Sequence, residues 1–400
     1  MIKFFLVSSA GLVFFIFYFI LERFLLDKNL RSIPLRICIT GTRGKSSVTR
    51  LIAAILREAG FRVLAKTTGS KPVLIFPDAE EKEISRRGTP SIVEGKKILK
   101  IASNLQVQAL VSELMSISPE CGFVESRQML KPQILVITNV RLDHLAQMGS
   151  SRESVARSLA SSIPQNATVF IPEEEFFPVF EEAASKLNSK VIKVPRESSE
   201  QDFRAEGKST WFEFEENIRL ALAVADFMGI EKEKVLRGLK KVNPDFGSLK
   251  VWTAELGTPP RRFYLASGFA ANDPQSTRLV LSSLMKRISL KEKEIIGLLN
   301  LRQDRGDRTI QWLQALKQGI FPEFKRLLFV GGHALALKSR LKKTSKIESS
   351  VIKEKEPQKI MEKISAMAKG ETVLFGMGNM GGAGKELVHY WEDIGKPYDL

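Results

Sequence analysis

The sequence predicts an α/β protein: a mostly parallel sheet domain of the phosphate-loop type, a second and smaller Rossmann-like α/β domain, and one transmembrane helix in front of both. Three observations carry this expectation. Short apolar runs alternate with amphipathic stretches through most of the chain, as buried parallel sheets with crossover helices require. A glycine-rich turn joins the first such run to the first amphipathic stretch, and residues 4–21 form an uncharged run of Phe, Leu, Ile and Val mixed only with Gly, Ser, Ala and Tyr.

The apolar run comes first. At ~1.5 Å of rise per residue it spans roughly 27 Å, close to the thickness of a bilayer core. Only Lys3 precedes it and no small-residue cleavage site follows, so residues 1–26 are expected to remain as an anchor. Arg23, Lys28, Arg31 and Arg36 lie behind it, a bias that places the body of the protein on the cytoplasmic side of the cell membrane.

The remaining elements follow in order. Residues 35–40 read as a strand, 47–59 as an amphipathic helix stopped by Gly60, and 61–65 as a second strand, which together make a βαβ opening. Further strands are expected at 109–112, 134–139 and 168–171, and a strong helix at 217–228. The Pro- and Gly-containing stretch 244–260 breaks the pattern and divides a domain at 33–255 from one at 261–400. Strands resume at 262–267, 295–300, 327–330 and 372–376, while the Lys/Glu-rich segment 338–363 reads as a solvated loop and helix.

Composition sets outer limits. The 400 residues are 44% hydrophobic and 26% charged, values of a folded protein with chain enough for two or three cores. Lys and Arg outnumber Asp and Glu by 61 to 45, which suits an anionic partner of any kind. No basic-aromatic stacking platform or nucleic-acid motif accompanies the charge, so nucleic acid is not the expected partner. Cys38 and Cys121 are too few for a disulfide framework or a zinc site, which suits a reducing compartment.

The chemistry begins at Gly41-Thr42-Arg43-Gly44-Lys45-Ser46-Ser47, where a strand hands over to a helix and backbone N–H groups favour bound phosphate. Gly41 and Gly44 let the backbone curl round the anion. Lys45 would reach the β and γ phosphates, and Ser46 would hold Mg²⁺. Ile39 stands where the eight-residue phosphate-loop consensus has glycine.

The Gly-Thr-x-Gly-Lys-Ser string, followed by Val48-Thr49-Arg50-Leu51, resembles the shorter loop of Mur ligases and folylpolyglutamate synthases. The resemblance implies a metal-binding Glu at the end of a following strand, matched by Glu113 in Val111-Ser112-Glu113-Leu114-Met115-Ser116. It also implies an Asn-x-x-x-Asp-His motif, matched by Asn139 to His144, in which His144 joins Ser46 and Glu113 as a metal ligand and Asp143 orients either that histidine or a metal-bound water. Asn217 is similar to an adenine-contacting Asn of the superfamily, although a plain helix cap explains it too.

Only about forty residues precede Gly41, which leaves no room for the nucleotide-sugar-binding domain that opens a peptidoglycan Mur ligase. The chain is similar instead to the synthetase subunit of poly-γ-glutamate (capsule) synthase, the CapB/PgsB family. That similarity runs through Lys66-Thr67-Thr68-Gly69, residues 268–274, residues 300–309 and Phe375-Gly376-Met377-Gly378-Asn379. Two departures from the wider superfamily stand out. Between His144 and Lys186 there is no Lys to carbamylate, only Arg152 and Arg157. The motif that leads with an acid in Mur ligases reads Phe269-Ala270-Ala271-Asn272-Asp273-Pro274, leaving Asn272 and Asp273 as the local candidates for ATP contact.

The family implies an ATP-dependent amide ligase that polymerises glutamate through γ-linkages by way of an acyl phosphate, with Mg²⁺ or Mn²⁺ as cofactor. Lys45, Glu113, His144, Arg302 and Arg305 would be its catalytic residues, with Arg308 beside them in a basic cluster. Implied partners are glutamate, the growing anionic polymer, an integral-membrane subunit and an extracytoplasmic one, in a homo- or hetero-oligomer. The reading from a different class is a membrane-tethered P-loop NTPase that energises or regulates a partner without forming an amide bond.

Overall fold

A computed structural model describes residues 2–69, 72–86, 88–142, 145–196, 214–245, 248–288, 293–341 and 347–398. The chain divides into two compact units, and the division falls between Asn243 and Pro244.

The first unit opens with a helix, Ile2–Arg31, that runs unbroken from the apolar segment into the folded body. Its last turns are part of that body: Leu30 and Ile33 are buried in the core, with Leu26 packed against it. The Arg36 guanidinium donates to the carbonyls of Leu30, Ile33, Leu130 and Lys131 and so satisfies the orphan acceptors at the helix end.

Behind this helix lies a sheet whose described strands are β1 (Leu35–Thr40), β2 (Val63–Thr67), β3 (Val73–Ile75), β4 (Glu81–Glu83), β5 (Ala109–Glu113), β6 (Ile134–Ile137), β7 (Thr168–Pro172) and β8 (Lys190–Val194). Their order is β4-β3-β2-β5-β1-β6-β7-β8, parallel from β2 to β8, with β3 and β4 added antiparallel at one edge. All five residues of β5 and all four of β6 are buried, which is why these strands read as continuous apolar runs. One face carries a core of Cys38, Leu64, Leu110, Leu135 and the helix Glu94–Asn104. Helices Lys45–Glu58, Glu215–Phe227 and Lys232–Lys240 pack together in the same unit.

Two strand limits differ from the expected ones for a physical reason. The second strand was expected to end at Ala65, before a charge, but it continues through Lys66 because that ammonium finds a buried carboxylate. The strand expected at 134–139 ends at Ile137, since Thr138 and Asn139 leave the ladder to bond the phosphate loop.

The second unit has its own sheet: β9 (Lys250–Leu256), β10 (Arg261–Ser267), β11 (Glu294–Leu301), β12 (Arg326–Gly331), β13 (Glu348–Val351), β14 (Thr372–Gly378) and β15 (Lys396–Pro397). The order is β13-β12-β11-β14-β10-β9-β15, with β9 and β15 antiparallel additions to a parallel core. Strand β9 lies in the stretch expected to be unpatterned. The segment 338–363 is also more ordered than expected: it holds edge strand β13 and most of the helix Pro357–Met367, and it buries Ile352, Ile360 and Met361. Lysine and glutamate dominate its composition, which hides the core positions from a compositional reading.

Candidate active site

The phosphate loop leaves the carboxyl end of β1, a central strand flanked by β5 and β6. Gly44 adopts φ +79° and Gly41 φ +127°, conformations that side chains rarely take. Space is as restrictive as dihedral angle. A Cβ at Gly41 would lie 2.1 Å from Thr138 Oγ1, and one at Gly44 would lie 2.3 Å from Asn217 Oδ1.

The loop is held from the β6 side. The Thr42 hydroxyl donates to Asn139 Oδ1 at 2.6 Å, and the Arg43 amide donates to the same oxygen at 3.0 Å. Asn139 Nδ2 returns a bond to the Arg43 carbonyl at 3.1 Å, which the Thr138 hydroxyl also reaches at 2.5 Å. Thr138 and Asn139 are both buried, so these bonds fix the loop rigidly.

The helix that follows, Lys45–Glu58, has no side-chain cap and no acidic residue in its first turn. Its N-terminal amides and dipole are therefore open to an anion. The Lys45 ammonium folds back to donate to the Gly41 carbonyl at 2.8 Å. Ser47 occupies the same first turn, half-buried.

On the β5 side, the Ser46 hydroxyl donates to Glu113 Oε2 at 2.7 Å, and the Thr68 backbone amide donates to the same oxygen at 2.7 Å. Glu113 is 2% exposed. Thr67, the residue before Thr68, carries a buried hydroxyl with no hydrogen-bond partner. A carboxylate closing β5 and a serine hydroxyl in the first turn of the helix after β1, in contact with each other, are hard oxygen donors of the kind Mg²⁺ or Mn²⁺ takes alongside water and phosphate. The residues present thus fit a divalent cation. No group of three or more His, Cys, Asp and Glu able to hold a metal occurs among the described residues.

Asn217 is not a cap. Phe214 holds the cap position of helix Glu215–Phe227, and Asn217 lies in the first turn, 2% exposed, with its amide against Gly44. Arg152, one of the two arginines in the stretch where the resemblance led a lysine to be expected, is committed elsewhere: it bonds the Val140 carbonyl and pairs with Glu175. His144 and Asp143 lie outside the described residues.

Four expected site residues belong to the second unit, at the carboxyl edge of its sheet. Asp273 caps helix Pro274–Arg287 by accepting from the Ser276 amide at 2.8 Å, and the Asn272 carbonyl accepts from Trp312 Nε1 at 3.2 Å. Arg302 forms a two-pronged pair with Asp304 at 2.9 and 2.7 Å, and Arg305 immediately precedes helix Gly306–Lys317. Arg308 is buried and donates to Asn379 Oδ1 at 3.1 Å, so it braces its own unit.

A buried ion pair stands close to Glu113 that the sequence did not reveal. Glu125, on the π-helix Phe123–Leu130, accepts from the amides of Met115 at 3.1 Å and Ser116 at 2.9 Å, two and three residues after Glu113. Lys66 Nζ lies 3.9 Å from its carboxylate. Burial pushes the Glu125 carboxyl above its ordinary range, opposed by Lys66 and the two amides. Lys66 stood in a quoted motif, but Glu125 gave no signal, because a π-helix breaks the 3.6-residue periodicity by which helical faces are read. Glu216, on the α-helix Glu215–Phe227, is a second buried acid: burial raises it too, against the Arg141 guanidinium at 3.1 Å.

Comparisons with known proteins agree with this architecture. Residues 39–234 match the family model of the Mur ligase middle domain, and residues 253–394 match that of the poly-gamma-glutamate synthase CapB C-terminal domain. The chain is 32% identical over 396 residues to the capsule biosynthesis protein CapB of Bacillus anthracis, covering 96% of this chain and 82% of the relative. It is 32% identical over 374 residues to the PGA synthase CapB of Bacillus subtilis (strain 168), covering 92% and 93%. Among solved structures, a bifunctional folylpolyglutamate synthase/dihydrofolate synthase of Yersinia pestis, complexed with AMPPNP and Mn ion, superimposes with a TM-score of 0.67 at 14% identity, covering 93% of this chain and 92% of that one. MurF of Acinetobacter baumannii gives a TM-score of 0.63 at 16% identity, covering 92% and 79%.

Proposed function

Since this chain belongs to the poly-γ-glutamate synthase CapB family, we propose that it joins glutamate residues through γ-amide bonds at the expense of ATP, with the phosphate loop and Glu113 as its nucleotide end. It is an ATP-dependent amide ligase of the Mur type. The observation that best supports the site is the Ser46 hydroxyl resting on the buried Glu113 carboxylate beside an uncapped helix N-terminus.

The γ-phosphoryl group of ATP passes to the terminal carboxylate of the acceptor, forming an acyl phosphate and releasing ADP. The amine of the incoming glutamate then attacks the carbonyl carbon, the C–O bond to phosphate breaks, and the amine proton is lost. The chain's share in this is placement and charge. The amides at the start of helix Lys45–Glu58 hold the phosphates, and Lys45 exchanges the Gly41 carbonyl for a phosphate oxygen. Ser46 and Glu113, joined by His144, would hold a divalent cation, which when bound neutralises charge on the phosphates. Asn217, seated against Gly44, contacts the nucleotide from the helix side. Arg302, Arg305, Asn272 and Asp273 are the second unit's candidates for anion and nucleotide contact.

Helix Ile2–Arg31 is long and apolar enough to cross a membrane. We take it as a cell-membrane anchor with the catalytic body in the cytoplasm, working with integral-membrane and extracytoplasmic subunits. The test is incorporation of labelled glutamate by membranes containing the protein, ATP and Mg²⁺. Polymer resistant to α-peptide proteases, absent with Lys45→Ala, is the expected result. ATP turnover indifferent to every amino acid would instead favour the tethered NTPase.

A further inference from the structure

We propose that the N-terminal end of helix Glu94–Asn104, with Val93 at its tip, is a second membrane contact that seats the first unit on an anionic lipid surface. This rests on the reading of helix Ile2–Arg31 as a bilayer span. The two helices lie side by side and run in the same direction, because Glu22 pairs with Lys96 while Ser32 Oγ bonds Ser103 Oγ at 2.8 Å. Following helix Glu94–Asn104 backwards therefore means moving towards the apolar segment.

The levels can be counted. Val93 precedes Lys96 by three residues, or about 4.5 Å of helix rise, which brings it level with Phe19 rather than Glu22. Phe19 is inside the exposed apolar stretch from Leu12 to Leu21, and Val93 is itself 51% exposed. An exposed valine at the depth where the anchor is still apolar meets the boundary between headgroups and acyl chains.

Charge on this face supports the same placement. Lys97 and Lys100 are exposed on the stripe that leads away from Val93, and Lys28 and Arg31 are exposed on the neighbouring helix. The acids on this face are answered locally: Glu22 by Lys96, Asp27 by Arg23 and Lys131, and Glu94 by both prongs of Arg86. An apolar tip followed by lysines is the pattern of an interfacial helix end, with ammonium groups among lipid phosphates and the tip beneath them. Two contact points, one spanning and one interfacial, fix the orientation of the unit where a single span would leave it to tilt.

The test uses the full chain in vesicles of phosphatidylcholine and phosphatidylglycerol, with cysteine in place of single residues, a bimane label and Cys121 changed to Ser. Cys38 is buried and stays unlabelled. Labels are placed at Phe17→Cys in the apolar segment, at Val93→Cys, and at Phe227→Cys, an exposed apolar position elsewhere on the unit. Brominated acyl chains should quench the labels at 17 and 93 by about two-fold and leave that at 227 unchanged. Lys97→Glu combined with Lys100→Glu should reduce quenching at 93 while leaving that at 17 intact. Quenching at 17 with none at 93 would overturn the second contact. Absence of quenching at 17 would remove the anchor and the proposal with it.

Discussion

The Lys66 ammonium lies 3.9 Å from the Glu125 carboxylate, and both side chains are 1% exposed. Lys66 belongs to the strand that ends beside Thr68, and Glu125 holds the amides that follow Glu113, so the pair fastens together the two ends that meet at the Glu113 carboxylate. Removing one partner leaves a buried charge alone. Lys66→Met or Glu125→Gln should each destabilise the protein by about 3–5 kcal/mol in urea unfolding. Lys66→Met combined with Glu125→Leu should recover part of that loss. If the double variant were as unstable as the single ones summed, the two side chains would be acting independently.

Glu113→Gln keeps the shape of the side chain and its bond to Ser46 while removing the charge. Glutamate incorporation should fall by about 10²–10³ with little change in urea stability. Ser46→Ala should raise the Mg²⁺ concentration needed for half-maximal rate. A Glu113→Gln enzyme with near-normal turnover would place the metal elsewhere.

Gly44→Ala meets two obstacles, a left-handed backbone and the Asn217 amide. Nucleotide binding should be lost. Adding Asn217→Ala relieves the steric part, leaving a conformational cost of roughly 1–2 kcal/mol. Equilibrium binding of a fluorescent ATP analogue to both variants, each referred to Asn217→Ala alone because that change also removes the side chain's own nucleotide contact, separates these contributions.

Burial raises the carboxyls of Glu125 and Glu216 above the ordinary 4.5, with Lys66 and Arg141 opposing. Such a group binds its proton more tightly in the folded chain than in the unfolded one. Its contribution to stability therefore rises as pH falls from above the raised value towards 4.5. Replacing Glu216 by Gln should make the urea midpoint less dependent on pH in this mildly acidic window. A slope identical to wild type would show that Glu216 titrates alike in both states.

Burial also pushes the Cys38 thiol far up, and its strand is central in the sheet. Cys121 is only half-buried. Iodoacetamide should label Cys121 in the folded protein and reach Cys38 only after denaturation, as peptide mass mapping would reveal.

The glycine-rich turn after β1, the parallel strands and the position of Glu113 at the end of β5 were legible in the sequence because each is local: a glycine spacing, an apolar run, a carboxylate closing such a run. What could not be read depends on contacts far apart in the chain. Lys66 looked like the end of a strand because its counter-charge lies on a π-helix some sixty residues later. Asn217 was indistinguishable from a helix cap until the fold set it against Gly44. Strand β9 hid among prolines and glycines that serve its turn to β10, and the short strand β13, Glu-Ser-Ser-Val, in a segment whose composition reads as solvated.

The first helix passes from apolar segment to core without a swivel, clasped by Arg36 at the point where a flexible tether would otherwise begin. In a bilayer, the first unit then cannot tumble independently of its anchor, and it drifts only as fast as a membrane protein drifts. Dissolved reactants must reach it by three-dimensional diffusion. Anything embedded in the same leaflet meets it by a search in two dimensions, close to the membrane surface.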